Sequence, residues 1–240
     1  MEQIIYETYR QLSVATAERI CAIVREKPDA LLCFPAGETS IGTFEELIKL
    51  NKKGAISFKK CTIVGLDEWL NLGNRKDQNC YSFLKKHLFD YIDYSPENTC
   101  FFDGESDNPK LECLKTDDFI RINGPIDVIL LGLGMNGHLG LNEPGTPFRL
   151  KSHIVDLDET TMKVGQKYFS DQATLSTGIT LGLKTIMESK TVILQVNGSR
   201  KAAIVKQLVD SEITPSLPAS IVKSHLNSFL LVDTEASGDL

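Results

Sequence analysis

What this chain lacks narrows its class before any motif is considered. No apolar run approaches the roughly 18 residues needed to span a bilayer, so no membrane contact is expected. The six cysteines (Cys21, Cys33, Cys61, Cys80, Cys100, Cys113) form no C-x-x-C pair. Most lie in apolar or aromatic sequence, such as Leu31-Leu32-Cys33-Phe34. That usage points to buried, reduced thiols in a cytoplasmic protein, and against a disulfide scaffold or a zinc site; no metal is expected. Positive charge is also in short supply. With 26 Lys+Arg against 32 Asp+Glu the net charge is -6, which argues against a nucleic-acid groove. A small anionic substrate remains allowed, because a few cations and backbone amides can hold one phosphate. The N-terminal MEQIIYETYRQLS lacks the basic-then-apolar plan of a signal peptide. Neither G-x-x-x-x-G-K-[ST] nor G-x-G-x-x-G occurs, so the two common nucleotide-binding turns are missing. No Gly/Ser linker or repeat divides the chain, and residues 1–240 are read as one domain.

What is present alternates between two kinds of segment. Short apolar runs read as strands: Ala30 to Phe34, Cys61 to Leu66, Ile126 to Leu133, Thr191 to Val196 and Phe229 to Val232. Between them, helical spacing marks Ala15 to Lys27, Phe44 to Leu50, Tyr81 to Tyr91, Leu111 to Ile122, Thr180 to Glu188 and Ser199 to Val209. Ser199 is a candidate N-cap, and the polar tail after Val232 is expected to fray. This alternation predicts a doubly wound α/β fold, a mainly parallel sheet with helices on both faces, Rossmann-like in its three layers. Ligands of such sheets bind beyond the carboxyl ends of the strands.

The chemically unusual residues gather at four of those ends. The first strand runs into Pro35-Ala36-Gly37-Glu38-Thr39-Ser40 and then a helix, an arrangement that welcomes an anion, although it also reads as a plain capped turn. The second ends in Gly65-Leu66-Asp67-Glu68-Trp69. In extended backbone the two acids face opposite ways, so Asp67 could enter a pocket as a proton shuttle or simply cap a helix. The central strand opens into GLGMNGHLGLNEPG, where His138 can carry a proton and Glu143 can orient its ring. The late strand ends in Gln195-Val196-Asn197-Gly198-Ser199-Arg200-Lys201. A lysine at a helix start opposes the dipole, which a bound anion would explain and simple tolerance would too. Together these groups suit cofactor-free proton transfer on a phosphorylated sugar.

On the strings PAGETS, GLDEW, GMNGHLGLNEPG, GITLGLKTIM, NGSRKA and LPAS the sequence resembles the glucosamine-6-phosphate deaminase/isomerase family over most of its length. The LDEW and HLGLNEPG wording leans toward the galactosamine-6-phosphate branch. The resemblance implies an amino-sugar-6-phosphate deaminase/isomerase that needs no cofactor. Asp67 would be the proton acceptor for enolisation and His138 the ring-opening acid/base, with Asn136 and Glu143 as its relay. Gly37, Glu38 and Thr39, mainly through their main chain, would hold the phosphate with Lys167 and Lys201. Three departures stand out. Asn136 replaces an aspartate of some members and cannot act as a base. Lys167 replaces a frequent arginine, giving a point charge in place of a fork. Glu38 adds a carboxylate that is expected to point away from the phosphate. Two rival readings remain open, a 6-phosphogluconolactonase and a non-catalytic sugar-phosphate sensor. A homo-oligomer is compatible with either, and the epimer preference and the binding of an allosteric activator stay open.

Overall fold

The computed structural model describes residues 1–238, the side chain of Lys76 apart. Among the described residues, ten strands and eight α-helices follow one another. The strands are β1 (Glu2–Tyr6), β2 (Leu31–Phe34), β3 (Thr62–Gly65), β4 (Asp67–Trp69), β5 (Thr99–Cys100), β6 (Val128–Gly132), β7 (His153–Asp156), β8 (Thr177–Thr180), β9 (Val192–Val196) and β10 (Ser228–Asp233). The helices are α1 (Tyr9–Glu26), α2 (Ile41–Lys52), α3 (Cys80–His87), α4 (Pro109–Asn123), α5 (Glu159–Gly165), α6 (Leu183–Met187), α7 (Ala202–Asp210) and α8 (Thr234–Ser237).

Seven strands form one parallel sheet in the order β1-β10-β9-β6-β2-β3-β5. Strand β2 sends its successors β3 and β5 to one side, and β6 continues toward β9 on the other. The crevice between the ends of β2 and β6 is therefore the switch point at which such sheets bind ligands. Both faces are covered. Leu32, Phe34, Val128 and Leu130 pack with α1, α2 and α3 residues such as Leu12, Phe44 and Leu84. Leu31, Cys33, Ile129 and Leu131 pack on the opposite face with Cys113, Ile186, Val205 and Ala236 of α4, α6, α7 and α8. Alternate residues of one strand thus serve two cores, which is why these runs are apolar throughout. Each fully buried Leu, Ile or Phe among them contributes roughly 1.5–3 kcal/mol.

The structure corrects the sequence reading in several places. Thr180 ends a strand and does not begin a helix: the TGIT run of β8 lies between β4 and β7 in a second, antiparallel sheet. Its β-branched residues pair on both sides, and the helix starts only at Leu183. Ser199 caps nothing with its side chain; it lies in a 3₁₀ turn, Ser199–Lys201, and α7 starts at Ala202. The segment after β10 turns into α8, capped by Asp233, whose carboxylate accepts the Ala236 amide at 2.8 Å. Asp239 and Leu240, at the end of the expected frayed tail, lie outside the described residues. Strand β1 was not anticipated: its partly exposed edge position gives no buried run to recognise.

Candidate active site

Five chain segments meet above the switch point. After β2 the chain passes through Gly37 into the 3₁₀ turn Glu38–Ser40 and then α2. Tyr9, at the start of α1, braces this turn from behind. Its hydroxyl accepts the Gly42 amide at 2.7 Å and donates to the Thr39 carbonyl at 3.0 Å. The Thr39 hydroxyl donates to Asn197 Oδ1 at 2.7 Å, tying this turn to the one after β9. From that second turn Lys201 reaches back and donates to the Leu133 carbonyl at the end of β6. Burial, with the neighbouring charges of Lys167 and Arg200, pulls the Lys201 ammonium down to about 8. Lys167, in the 3₁₀ turn after α5, pairs with Glu38 at 2.6 Å. Two of the expected phosphate contacts therefore engage each other, and the Glu38 carboxylate, expected to point away, lies against a lysine of the same site.

The loop after β6 builds the second part. His138 stands directly over Gly134, where any Cβ would overlap the imidazole ring. Its Nδ1 lies 3.2 Å from Glu143 Oε2 and 3.0 Å from Thr161 Oγ1. Asn136 Nδ2 donates to the same Glu143 oxygen at 2.8 Å and to Asp158 Oδ1 at 3.3 Å, while its Oδ1 accepts the His138 amide at 3.2 Å. Burial pushes the Glu143 carboxyl up, but His138, Thr161 and Asn136 outweigh it and hold the group below its ordinary range. An ionised acceptor at Nδ1 favours the tautomer protonated there, which leaves the Nε2 lone pair free to take a proton. Asn136 is thus a hydrogen-bonding bridge, as its amide chemistry requires.

Strand β4 supplies the third part. Its residues alternate as extended backbone demands: Glu68 is buried, while Asp67 retains some exposure. Gly140, at φ +57°, brings the loop after β6 close against β4 and β8. A Cβ there would meet Thr180 Oγ1 at 2.7 Å and lie 3.4 Å from Asp67 Oδ2. Burial and the charge of Glu68 raise the Asp67 carboxyl to about 7, against the opposing pull of His138 and the Cys80 thiol. The Asp67 carboxyl thus senses the charge of His138, which brings the end of β3 and the loop after β6 into one neighbourhood.

All nine expected residues belong to this assembly of turns. Asp67 and the Asn136–His138–Glu143 relay form one end, and the Glu38–Lys167 pair, Gly37, Thr39 and Lys201 form the other. Sequence reasoning missed Thr161 and Asp158, which come from the α5 segment and carry no motif. It also missed Tyr9, remote in the chain from the turn it braces, and Cys80, whose thiol lies against both Asp67 and Glu68. Asn197, within the NGSRK string, was the one missed contact with a visible signal.

Comparison with known proteins places this arrangement. The family described as glucosamine-6-phosphate isomerases/6-phosphogluconolactonase matches residues 6–231. A glucosamine-6-phosphate deaminase of Bacillus pumilus (strain SAFR-032) is 39% identical over 237 residues, covering 98% of each chain. Glucosamine-6-phosphate deaminase 1 of Bacillus subtilis (strain 168) is 34% identical over 232 residues, covering 96% of each. The solved structure of a monomeric glucosamine-6-phosphate deaminase superposes with a TM-score of 0.95 at 33% identity, covering 99% of each chain. A 6-phosphogluconolactonase from Leishmania guyanensis shares the fold, with a TM-score of 0.73 at 19% identity. The chain belongs to the glucosamine-6-phosphate isomerase/6-phosphogluconolactonase family.

Proposed function

We propose that this chain is an amino-sugar-6-phosphate deaminase/isomerase, converting a hexosamine 6-phosphate and water to a ketose 6-phosphate and ammonia. The observation that carries the reading is that the Asp67 carboxyl lies against Gly140 of the His138 loop and senses the His138 charge, beside a separate cluster of cations and turn amides. The substrate phosphate takes the turn after β2 with Lys201, and draws Lys167 away from Glu38. His138 Nε2 accepts the proton of the C1 hydroxyl and returns it to the ring oxygen, opening the pyranose. Its Nδ1–H stays on Glu143, which stabilises the transient imidazolium. Asp67 then removes the C2 proton while the C1 oxygen gains one from solvent, giving an enolamine, and delivers its proton to C1 while the amine nitrogen gives one up to solvent, leaving an imine at C2. Water adds to C2 and ammonia departs.

The relatives named above carry the glucosamine name, and which C4 epimer this chain prefers is part of the test. Six unpaired, buried thiols favour work in the reducing cytoplasm. Ammonia release should be measured from both epimers of the amino sugar phosphate, with acid release from 6-phosphogluconolactone as the rival arm. Ammonia from at least one epimer is expected, and acid from the lactone alone would replace the reading. In Asp67→Asn, ammonia release should fall by roughly 10²–10⁴, while inhibition by inorganic phosphate stays as in the unaltered protein. Full turnover by that variant would remove Asp67 from the reaction.

A further inference from the structure

The reaction above leaves one buried ionisable group of the site without a role. Glu68 is 2% exposed and follows Asp67 on β4. Among the described residues it has no ion-pair partner, and its charge is met by backbone amides and the Cys80 thiol. Oε1 accepts the Trp69 amide at 2.8 Å and the Cys80 amide at 2.9 Å, and Oε2 accepts the Tyr81 amide at 3.2 Å. Cys80 and Tyr81 open α3, and Asn79 satisfies the next amide, Ser82, at 2.8 Å. Glu68 therefore completes the N-terminal cap of α3 across a gap of twelve residues, at the end of the helix whose dipole favours a negative charge. The neighbouring Cys80 thiol is pushed up by burial and by both carboxylates, so it remains protonated and can donate to them.

We propose that Glu68 is a positioning residue for deamination: its carboxylate pins the start of α3 to β4, the strand that carries Asp67, and holds a buried carboxyl group directly beside that base. The inference rests on Asp67 being that base. Burial raises Glu68 to about 7 as well, although the amides of Cys80, Trp69 and Tyr81 and the Cys80 thiol oppose the rise. Asp67 has no comparable set of donors. As pH rises the coupled pair should therefore ionise first at Glu68 and last at Asp67. The other groups that face Asp67 come from different elements. Protonated His138 and the Cys80 thiol favour its charged form. Cys33 on β2 and Tyr168 after α5 both sense its charge and stay neutral because of burial. Opposite it on β8 stands the uncharged Thr180.

The test is the Glu68→Gln variant. Its amide oxygen can still accept from Trp69 and Cys80, although its NH₂ group opposes the Tyr81 amide. The acid limb of kcat/KM should move to lower pH by about one unit or more, as expected when a like charge is removed. The plateau of kcat should fall with the weaker base, and inhibition by inorganic phosphate should not change. A folded variant whose acid limb stays in place overturns the proposal, since a purely structural cap would not move it. Should the variant fail to fold, carbon-13 NMR of the side-chain carboxyls in the unaltered protein decides the matter without substrate. Glu68 ionising below Asp67 supports the proposal, and Asp67 ionising first overturns it. Failure to release ammonia from either epimer would sink the functional reading and leave this order of titration standing or falling by itself.

Discussion

The imidazole of His138 shows how much a few contacts decide. One oxygen of Glu143 receives both Asn136 and the ring Nδ1, which fixes the ring's orientation and its tautomer. Asp67 and Lys201 are tuned in opposite directions by the same cause. Burial raises the carboxyl to about 7 and lowers the ammonium to about 8, because each loses the hydration that supports its charged form. In the proposed reaction Asp67 takes the C2 proton in its ionised form, so activity should rise as pH climbs through about 7. In the same proposal Lys201 attracts the phosphate in its charged form, so kcat/KM should fall as pH passes about 8. A narrow bell in kcat/KM is the expected profile of the free enzyme. In Lys201→Arg the guanidinium keeps its charge throughout the range. The alkaline limb should then move upward while the acid limb holds. A limb that stays near 8 in that variant would show that another group sets it.

Between residues and the whole chain lie the elements, and they differed in how visible they were in the sequence. Strands β2, β6 and β9 were legible because burial on both faces makes them uninterrupted apolar runs. Strand β4 has three residues and β7 is partly exposed along its length, so neither carries a pattern of its own. They exist because β8 pairs with both, a long-range fact no local window contains. The site divided in the same way. His138, Glu143, Asp67 and Lys201 stand in strings whose composition is odd for a loop, whereas Thr161 and Asp158 enter from α5 through folding alone. The segment after α5 is held over the site by polar contacts. Arg75 forms a forked pair with Asp171, both bonds at 2.9 Å, and donates to the Gln172 carbonyl at 3.1 Å. Gln78 accepts the Ser170 amide at 2.8 Å. Apolar support comes from Trp69 against Phe169 and from Phe83 against Tyr168. An exposed pair adds little to global stability, so Arg75→Ala should leave Tm nearly unchanged. Its effect should be local, namely faster amide hydrogen exchange across residues 166–172, which include Lys167. Unchanged exchange there would show that the aromatic contacts suffice.

Across the whole molecule, the two ends of the parallel sheet have different tasks. The carboxyl ends of the strands carry the candidate site. The opposite end is closed by a fully engaged carboxylate. Asp127, just before β6 and 3% exposed, pairs with Lys27 after α1 at 2.7 Å and with Lys190 before β9 at 2.8 Å. Its Oδ2 also accepts the Leu31 amide at the start of β2, at 2.8 Å. One side chain thus joins the entries of the three strands at the centre of the sheet. Burial pushes this carboxyl up, but Lys190, Lys27 and the Leu31 amide prevail and hold it below its ordinary value. A depressed folded value means that the folded state favours the ionised form more than the unfolded chain does. The stabilisation is therefore complete above the unfolded aspartate value of about 3.9, and is lost as pH falls through the lower, folded one. In Asp127→Asn one acceptor oxygen disappears and the new NH₂ group faces an ammonium or an amide. A loss of about 1–3 kcal/mol is expected near neutral pH, read from urea unfolding of the two proteins. The difference should shrink as both are titrated into acid, because the unaltered Asp127 then loses its charge as well. A difference that persists undiminished at the acid end would assign the stabilisation to packing at this site, and a difference absent at neutral pH would show that the two lysines remain well solvated.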